Sequence, residues 1–183
     1  MNLVDKILGD PITRGLKFFT KGGVPAYITQ VRGRTDGSAA AAGEIGQRLL
    51  SQLLRSSGIS LTSSTTANVT SVTLTPGNWL VFGSAGFSGG SSDVTNYRAE
   101  VSTVSATTNN LPSGYSGGGL DVSATQMTTD PSLMNLGQGD YTGALPLFTQ
   151  NVASNTTLYL VATCTFTGSN ANAYGRLEAI RLP

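Results

Sequence analysis

The sequence predicts an all-β protein, an antiparallel jelly-roll sandwich of about eight strands with a short helical and extended N-terminal arm. Apolar residues make up 39% of the 183 residues and fall in short alternating runs. Clusters of Gly, Ser, Asn and Pro separate these runs at the spacing of strands and turns. Charged residues form only 11% of the chain, less than half the usual quarter. About eight strands in two sheets is the number found in a jelly roll.

The segment Thr156–Phe166 is the least ambiguous element. Apolar or small residues alternate along it from Leu158 to Phe166, and it contains no Gly or Pro. Its second face is only partly polar, so we expect a central strand. Cys164 lies on the apolar face, where we expect a small buried hydrophobe rather than a reactive thiol.

Further strands follow from the same alternation. Ile59–Leu61 is a short strand. Asn68–Leu74 ends in Pro76-Gly77, a pair suited to a type II turn, and Trp79–Phe87 is then predicted to return as a hairpin. Tyr97–Val104 is predicted to be a strand with one solvated face, which bears Arg98 and Glu100. A loop is expected over Asn109–Gly119, and residues 120–140 have no clear pattern. The final strand is predicted over Ala173–Leu182.

Residues 1–36 differ from the rest because six basic and three acidic residues give them a charge of +3. Asn2 is an N-cap for one short helix, and Asp10-Pro11 starts a second that ends before Gly22-Gly23. Val24–Val31 is predicted to be extended. The apolar, aromatic and basic residues expected to anchor this arm to a partner are Leu3, Ile7, Leu8, Ile12, Leu16, Lys17, Phe18, Phe19, Lys21 and Tyr27.

Helices this short are not stable alone in water, so the arm must dock on something. Three surfaces remain open: the protein's own domain, a partner protein, or, for a basic amphipathic segment, a membrane surface. We favour the partner protein. Residues 37–43 then form a small-residue linker to a domain spanning 44–183.

The stretch after the linker is ambiguous between helix and strand. Five apolar residues there have the spacing of an amphipathic helix. These residues are Ile45, Leu49, Leu50, Leu53 and Leu54.

Composition argues against most chemistry, and we predict neither enzymatic activity nor a cofactor or metal. The absence of histidine removes the usual triads and zinc ligands. No pair of carboxylates is marked out for glycoside hydrolysis, and the loop aspartates lack calcium-loop spacing. A net charge of +1 does not favour nucleic acid as a partner, and no apolar run is long enough to cross a membrane.

Several segments resemble a group of small bacteriophage virion proteins. The similarity is carried by Asn68–Ser71 and by Gly77-Asn78-Trp79, in which Asn78 stands where Asp is commoner. It continues through Leu158–Ala162 and Phe166, and ends at Ala173-Tyr174-Gly175 and Arg181. It covers residues 44–183 and not 1–43. The resemblance also favours a strand over about 44–50.

The resemblance implies a jelly-roll domain that assembles as a homotrimer and projects from the virion. The candidates for the trimer interface are then Ile45, Leu49, Leu50, Leu53 and Leu54. We therefore expect a capsid decoration protein, made in the host cytoplasm and held by its arm to the major capsid protein or a tail or collar protein. The alternative is a receptor-binding protein of the tail, collar or baseplate. It would recognise a host glycan through the loops at 89–93 and 109–119, with Asp93 and Tyr115 as the candidate contacts.

Overall fold

The computed structural model describes residues 39–89, 93–112, 141–168 and 170–183, together with the backbone of Lys17–Phe19 and Pro25–Tyr27. Side chains at 93–95 lie outside the description. The chain divides into two compact units, Met1–Gly37 and Ser38–Pro183.

In the first unit, β1 (Lys17–Phe19) pairs antiparallel with β2 (Pro25–Tyr27). The extended conformation predicted for Val24–Val31 is confirmed over β2. The helix predicted after Asp10 is wrong over Lys17–Phe19, because two adjacent Phe residues next to Gly22-Gly23 favour a strand pair over a helical turn. The rest of both predicted helices lies outside the described residues.

The described part of the second unit contains eight strands and one 3₁₀ turn. The turn, Arg55–Ser57, lies between β3 and β4. The strands are β3 (Arg48–Leu53), β4 (Ile59–Leu61), β5 (Ala67–Leu74), β6 (Gly77–Gly89), β7 (Asp93–Ser102), β8 (Tyr141–Val152), β9 (Thr156–Thr167) and β10 (Ala171–Arg181).

These strands form two antiparallel sheets. One, called here the β10 sheet, has the order β3-β10-β6-β8, with β4 also paired to β10. The other, the β9 sheet, has the order β5-β9-β7. From β5 to β10 each strand lies in the opposite sheet from the one before it. The prediction of an all-β antiparallel sandwich is confirmed, while the jelly-roll connectivity stays a prediction.

The core lies between the two sheets. Trp79 and Val81 of β6 and Leu177 of β10 are fully buried on one side. Leu158 and Leu160 of β9 are fully buried on the other, as expected for the central strand of its sheet. Burial of these side chains provides the main favourable free energy of folding.

The hairpin predicted for Asn68–Leu74 and Trp79–Phe87 is wrong. Both segments are strands, but β5 pairs with β9 whereas β6 pairs with β10 and β8. The two strands face each other across the core, with Leu74 and Trp79 buried between the sheets. Turn chemistry at Pro76-Gly77 marks the reversal of the chain but does not determine whether the flanking strands share hydrogen bonds.

The ambiguous stretch is a strand, β3, as the resemblance implied, although it begins at Arg48 rather than Glu44. Residues before it form a turn in which the N–H of Glu44 donates to the carbonyl of Ala41. Gly43 and Gly46 have φ of +85° and +83°, values that favour glycine. A hydrogen bond from the Gly46 N–H to the Arg181 carbonyl joins this turn to the end of β10.

Strand β8 contains a proline and was not recognised from the sequence. It is an edge strand of the β10 sheet, and its register against β6 shifts between Val81 and Gly83. Pro146 lies in that irregularity, where a residue without an N–H costs little.

Candidate functional site

The face of the β10 sheet that points away from the core is the surface with the most distinctive chemistry among the described residues. Side chains alternate along a strand, so residues between the buried positions point outward. The base of the domain is defined here as the end holding residues 41–47, and the distal end as the opposite one.

Toward the base, this outer face carries apolar side chains. The register places Leu50 and Phe82 on either side of Glu178, and Leu80 beside Ile180. Leu147 of β8 is 62% exposed and Leu50 is 46% exposed. The residues of this apolar half are Leu50, Leu80, Phe82, Leu147 and Ile180.

A buried carboxylate lies within the apolar half. The Nε of Arg48 donates to Oε1 of Glu178 at 2.5 Å. Glu178 is only 5% exposed, and its hydrogen bond with Arg48 holds the pKa of its carboxyl below the usual range. From the sequence, Glu178 between Arg176 and Arg181 would be expected to form a weak surface ion pair, but it is buried and its main partner is Arg48 of β3.

Toward the distal end, the same face has a concavity of about 190 Å³. Its floor is made by residues with little or no side chain, among them Ala85, Gly86 and Gly175. The ring of Tyr174 lies so close over Gly86 that a Cβ there would be 2.7 Å from the tyrosine oxygen. The walls are formed by Gln52, Leu53, Leu54, Arg55, Ser84, Thr142, Tyr174 and Arg176.

The base of the domain is held together by Arg181, which is 9% exposed. Its guanidinium lies 4.4 Å from the centre of the Trp79 ring. Nη1 donates to the Pro76 carbonyl at 2.7 Å and Nε to Oε1 of Gln47 at 3.2 Å, while Nη2 donates to the Thr75 hydroxyl. These contacts tie the end of β10 to the 75–76 turn and to the turn before β3.

A second cluster orders the start of the loop predicted at Asn109–Gly119. Glu100 is 2% exposed; its Oε2 forms an ion pair with Nη2 of Arg98 at 2.5 Å, and its Oε1 accepts a hydrogen bond from the backbone N–H of Asn109 at 2.5 Å. The Nδ2 of Asn68 donates a hydrogen bond to the Ser105 hydroxyl, and its Oδ1 accepts one from the Ala106 N–H. The expectation that Glu100 lies on a solvated face is wrong, because the 103–110 loop covers it.

The predicted anchor residues fall in the first unit. Lys17, Phe18 and Phe19 form β1, and Tyr27 ends β2. The register pairs Lys17 with Tyr27. The other predicted anchor residues lie outside the described part of the chain: Leu3, Ile7, Leu8, Ile12, Leu16 and Lys21.

The predicted interface residues separate into two groups. Leu49 and Leu53 pack partly buried against the core, so they are occupied within the domain. Ile45, Leu50 and Leu54 are exposed. Of these, Leu50 belongs to the apolar half and Leu54 borders the distal concavity.

The two predicted ligand loops lie at opposite ends of β7, the strand that joins them. Asp93 is the first residue of β7, and the 103–112 segment follows its last residue, Ser102. A ten-residue strand spans roughly 30 Å, so Asp93 and the described residues 103–112 lie far apart. Tyr115 lies outside the described residues.

The described residues include carboxylates and one thiol, the groups from which a metal site or a nucleophile could be built. None of the clusters of Cys, Asp and Glu there has three members placed to hold a metal ion. Cys164 is buried, as predicted, and burial raises the pKa of its thiol to about 11, which makes it a poor nucleophile. In the same residues we found no helix with the length and apolar character needed to cross a bilayer.

No family model, curated protein or solved structure matches this chain. The resemblance to virion proteins therefore stays a prediction. The structure does give its residues physical roles: Trp79 and Arg181 form the base cluster, and Asn68 holds the 103–110 loop. In these contacts the residues stabilise the fold.

Sequence reasoning missed the distal concavity. Its members Arg55, Tyr174 and Arg176 come from a 3₁₀ turn and from β10, more than a hundred residues apart in the chain. One signal was present: Arg176 follows Tyr174 on the same face of a predicted strand. Gly86, which leaves room for the tyrosine ring, gives no sign of that role in the sequence.

Proposed function

We propose that this protein is a bacteriophage structural protein, a trimeric capsid decoration protein anchored to the virion by residues 1–36. The observation that carries the proposal is the exposed apolar half of the β10 sheet. Monomeric soluble proteins rarely leave a large contiguous apolar patch open to water, and such a patch commonly marks a protein interface. A second copy of the chain is the occupant that we propose.

The position of the apolar half supports this assignment. It lies at the base of the second unit, next to the turn at residues 41–47 where the chain enters the domain. Copies that meet there would bring their Ser38 ends, from which the arm of each chain begins, toward a common point, which suits attachment to one capsid site. The distal end would then project outward.

The arm supports the anchoring role by its charge and its division from the domain. The first unit, Met1–Gly37, carries six basic and three acidic residues, together with the paired strands β1 and β2. In our proposal its aromatic and basic side chains contact the capsid shell.

The oligomeric state provides the first test. Light scattering on the purified chain should give about 56 kDa, three times the 18.8 kDa of one chain. Leu147→Asp and Leu50→Asp should each convert the trimer to monomers. Val104→Asp is the matched control, because Val104 is 45% exposed outside the β10 sheet. A monomeric wild-type chain, or a trimer that survives both substitutions, would refute the proposed interface.

The location on the particle provides the second test. Electron microscopy of virions carrying the protein should show threefold density on the capsid lattice. A chain of residues 37–183 should still form trimers but fail to join particles that lack the protein. An unfolded or monomeric truncated chain would contradict the detachable anchor.

A receptor-binding role on the tail, collar or baseplate is the second candidate, and the distal concavity is the observation that favours it. Density confined to those parts of the particle would support this role over capsid decoration.

A further inference from the structure

We infer that the distal concavity binds a sugar ring bearing a carboxylate, such as a hexuronate. Two arginines line it: Arg55 from the 3₁₀ turn and Arg176 from β10, and both side chains are exposed. Among the described residues that line the concavity, none is acidic. A guanidinium group matches the geometry of a carboxylate through two parallel hydrogen bonds, so an anionic ligand fits these walls.

Arg176 interacts electrostatically with Glu178, but Arg48 is the main partner of that carboxylate. The acidic side chain nearest to it along β10 is Glu178, two residues away on the same face. Glu178 already accepts a hydrogen bond from Arg48 at 2.5 Å. Since Arg48 compensates that carboxylate, the outer face keeps a positive charge at its distal end.

The rest of the lining suits a sugar better than a bare anion. Gln52, Ser84 and Thr142 provide neutral donors and acceptors of the kind that recognise hydroxyl groups. The Tyr174 ring is half-buried, with one side against the backbone at Gly86.

The size of the concavity sets the size of the ligand. At about 190 Å³ it is smaller than the roughly 300–1,000 Å³ of sites for drug-sized molecules, which favours a single ring. A wider hollow of about 570 Å³, lined by Leu54, Arg55, Ser56 and Ser88, shares two residues with it. That hollow gives room for the next unit of a chain of sugars. The inference does not depend on the proposed virion role.

The test is a titration of the full-length protein, labelled with ¹⁵N, with sodium glucuronate and sodium galacturonate at constant ionic strength. We expect saturable shifts at the amides of Ser84, Tyr174 and Arg176, with a Kd of about 1 mM for at least one of the two sugars. Glucose, sodium acetate and inorganic phosphate serve as ligand controls and should bind at least about tenfold more weakly.

Variants make the test specific to the concavity. Arg176→Gln and Arg55→Gln should each weaken binding about tenfold, the effect of roughly one lost charge-assisted hydrogen bond. Arg176→Lys keeps the charge but loses the planar fork, so it should also weaken binding. Thr149→Gln is the control: it changes an exposed side chain on the same sheet face outside the concavity and leaves the Arg48–Glu178 pair intact, so binding should change less than twofold.

Each result of the titration has a distinct meaning for the proposed site. No saturation by either uronate overturns the inference. Equal binding of glucose would show that the carboxylate is not recognised, and equal binding of acetate or phosphate would show a simple anion site. Unchanged binding by Arg176→Gln, with an unchanged melting temperature, would place the ligand elsewhere. Because purified protein suffices, failure here leaves the trimer test unaffected.

Discussion

Replacing Arg181 with methionine should destabilise the domain by about 2–4 kcal/mol. The guanidinium makes three hydrogen bonds and lies over Trp79, and each hydrogen bond to a charged group contributes about 1.5–3 kcal/mol. The stacking on Trp79 adds about 0.5–2 kcal/mol. Against this, methionine avoids the several kcal/mol that burying a charge costs. The net loss is therefore well below the sum of the contacts.

Urea unfolding is the assay, and Trp79 is its probe because the chain has a single tryptophan. The buried Trp79 ring becomes solvated on unfolding, so its fluorescence reports the state of the cluster itself. Arg176→Met is the matched control, since it makes the same change at an exposed position of the same strand. We expect that control to alter the free energy of unfolding by less than about 0.5 kcal/mol. A loss for Arg181→Met as small as the control's would refute the view that Arg181 holds the base together.

Three further predictions follow from other contacts. Gly175→Ala should cost more than about 2 kcal/mol in urea unfolding, because its Cβ would meet the backbone of β6, whereas Gly143→Ala enters open space and should be near neutral. Folding lowers the pKa of the Glu178 carboxyl below its ordinary value of 4.5. The ionised carboxylate therefore stabilises the folded state fully above pH 4.5, and this stabilisation is lost as the pH falls through the lowered pKa. Melting temperatures should show that loss, and removal of its arginine partner on β3 should abolish it. Glu100→Gln should speed hydrogen exchange at the Asn109 amide, and unchanged protection would contradict the role given to Glu100.

Most strands could be predicted from the sequence because alternation reports directly on burial. Thr156–Phe166 and Ala173–Leu182 correspond to β9 and β10 within two residues. Strand β3 was ambiguous because Leu49 and Leu53 face the core while Leu50 and Leu54 face water, which gives a helix-like spacing along a strand. Which strands pair with each other was harder to predict, because strand pairing depends on contacts between segments that are distant in the chain.

The buried carboxylates show the same limit. Glu100 and Glu178 alternate with apolar neighbours as surface residues do, yet a loop covers one and Arg48 covers the other. The distal concavity depends on the register of four strands, and local pattern carries no information about register.

The place of β10 has a consequence for synthesis of the chain. It follows every other described strand in sequence, yet it lies between β3 and β6, which are the first and middle strands of the same sheet. During translation, the edges of β3 and β6 that pair with β10 stay unpaired until β10 has left the ribosome. Long-range pairing of this kind slows folding and exposes edges that can join other chains. Nascent chains on one messenger are therefore at risk of pairing with each other, and chaperone demand should be highest just before the last dozen residues emerge.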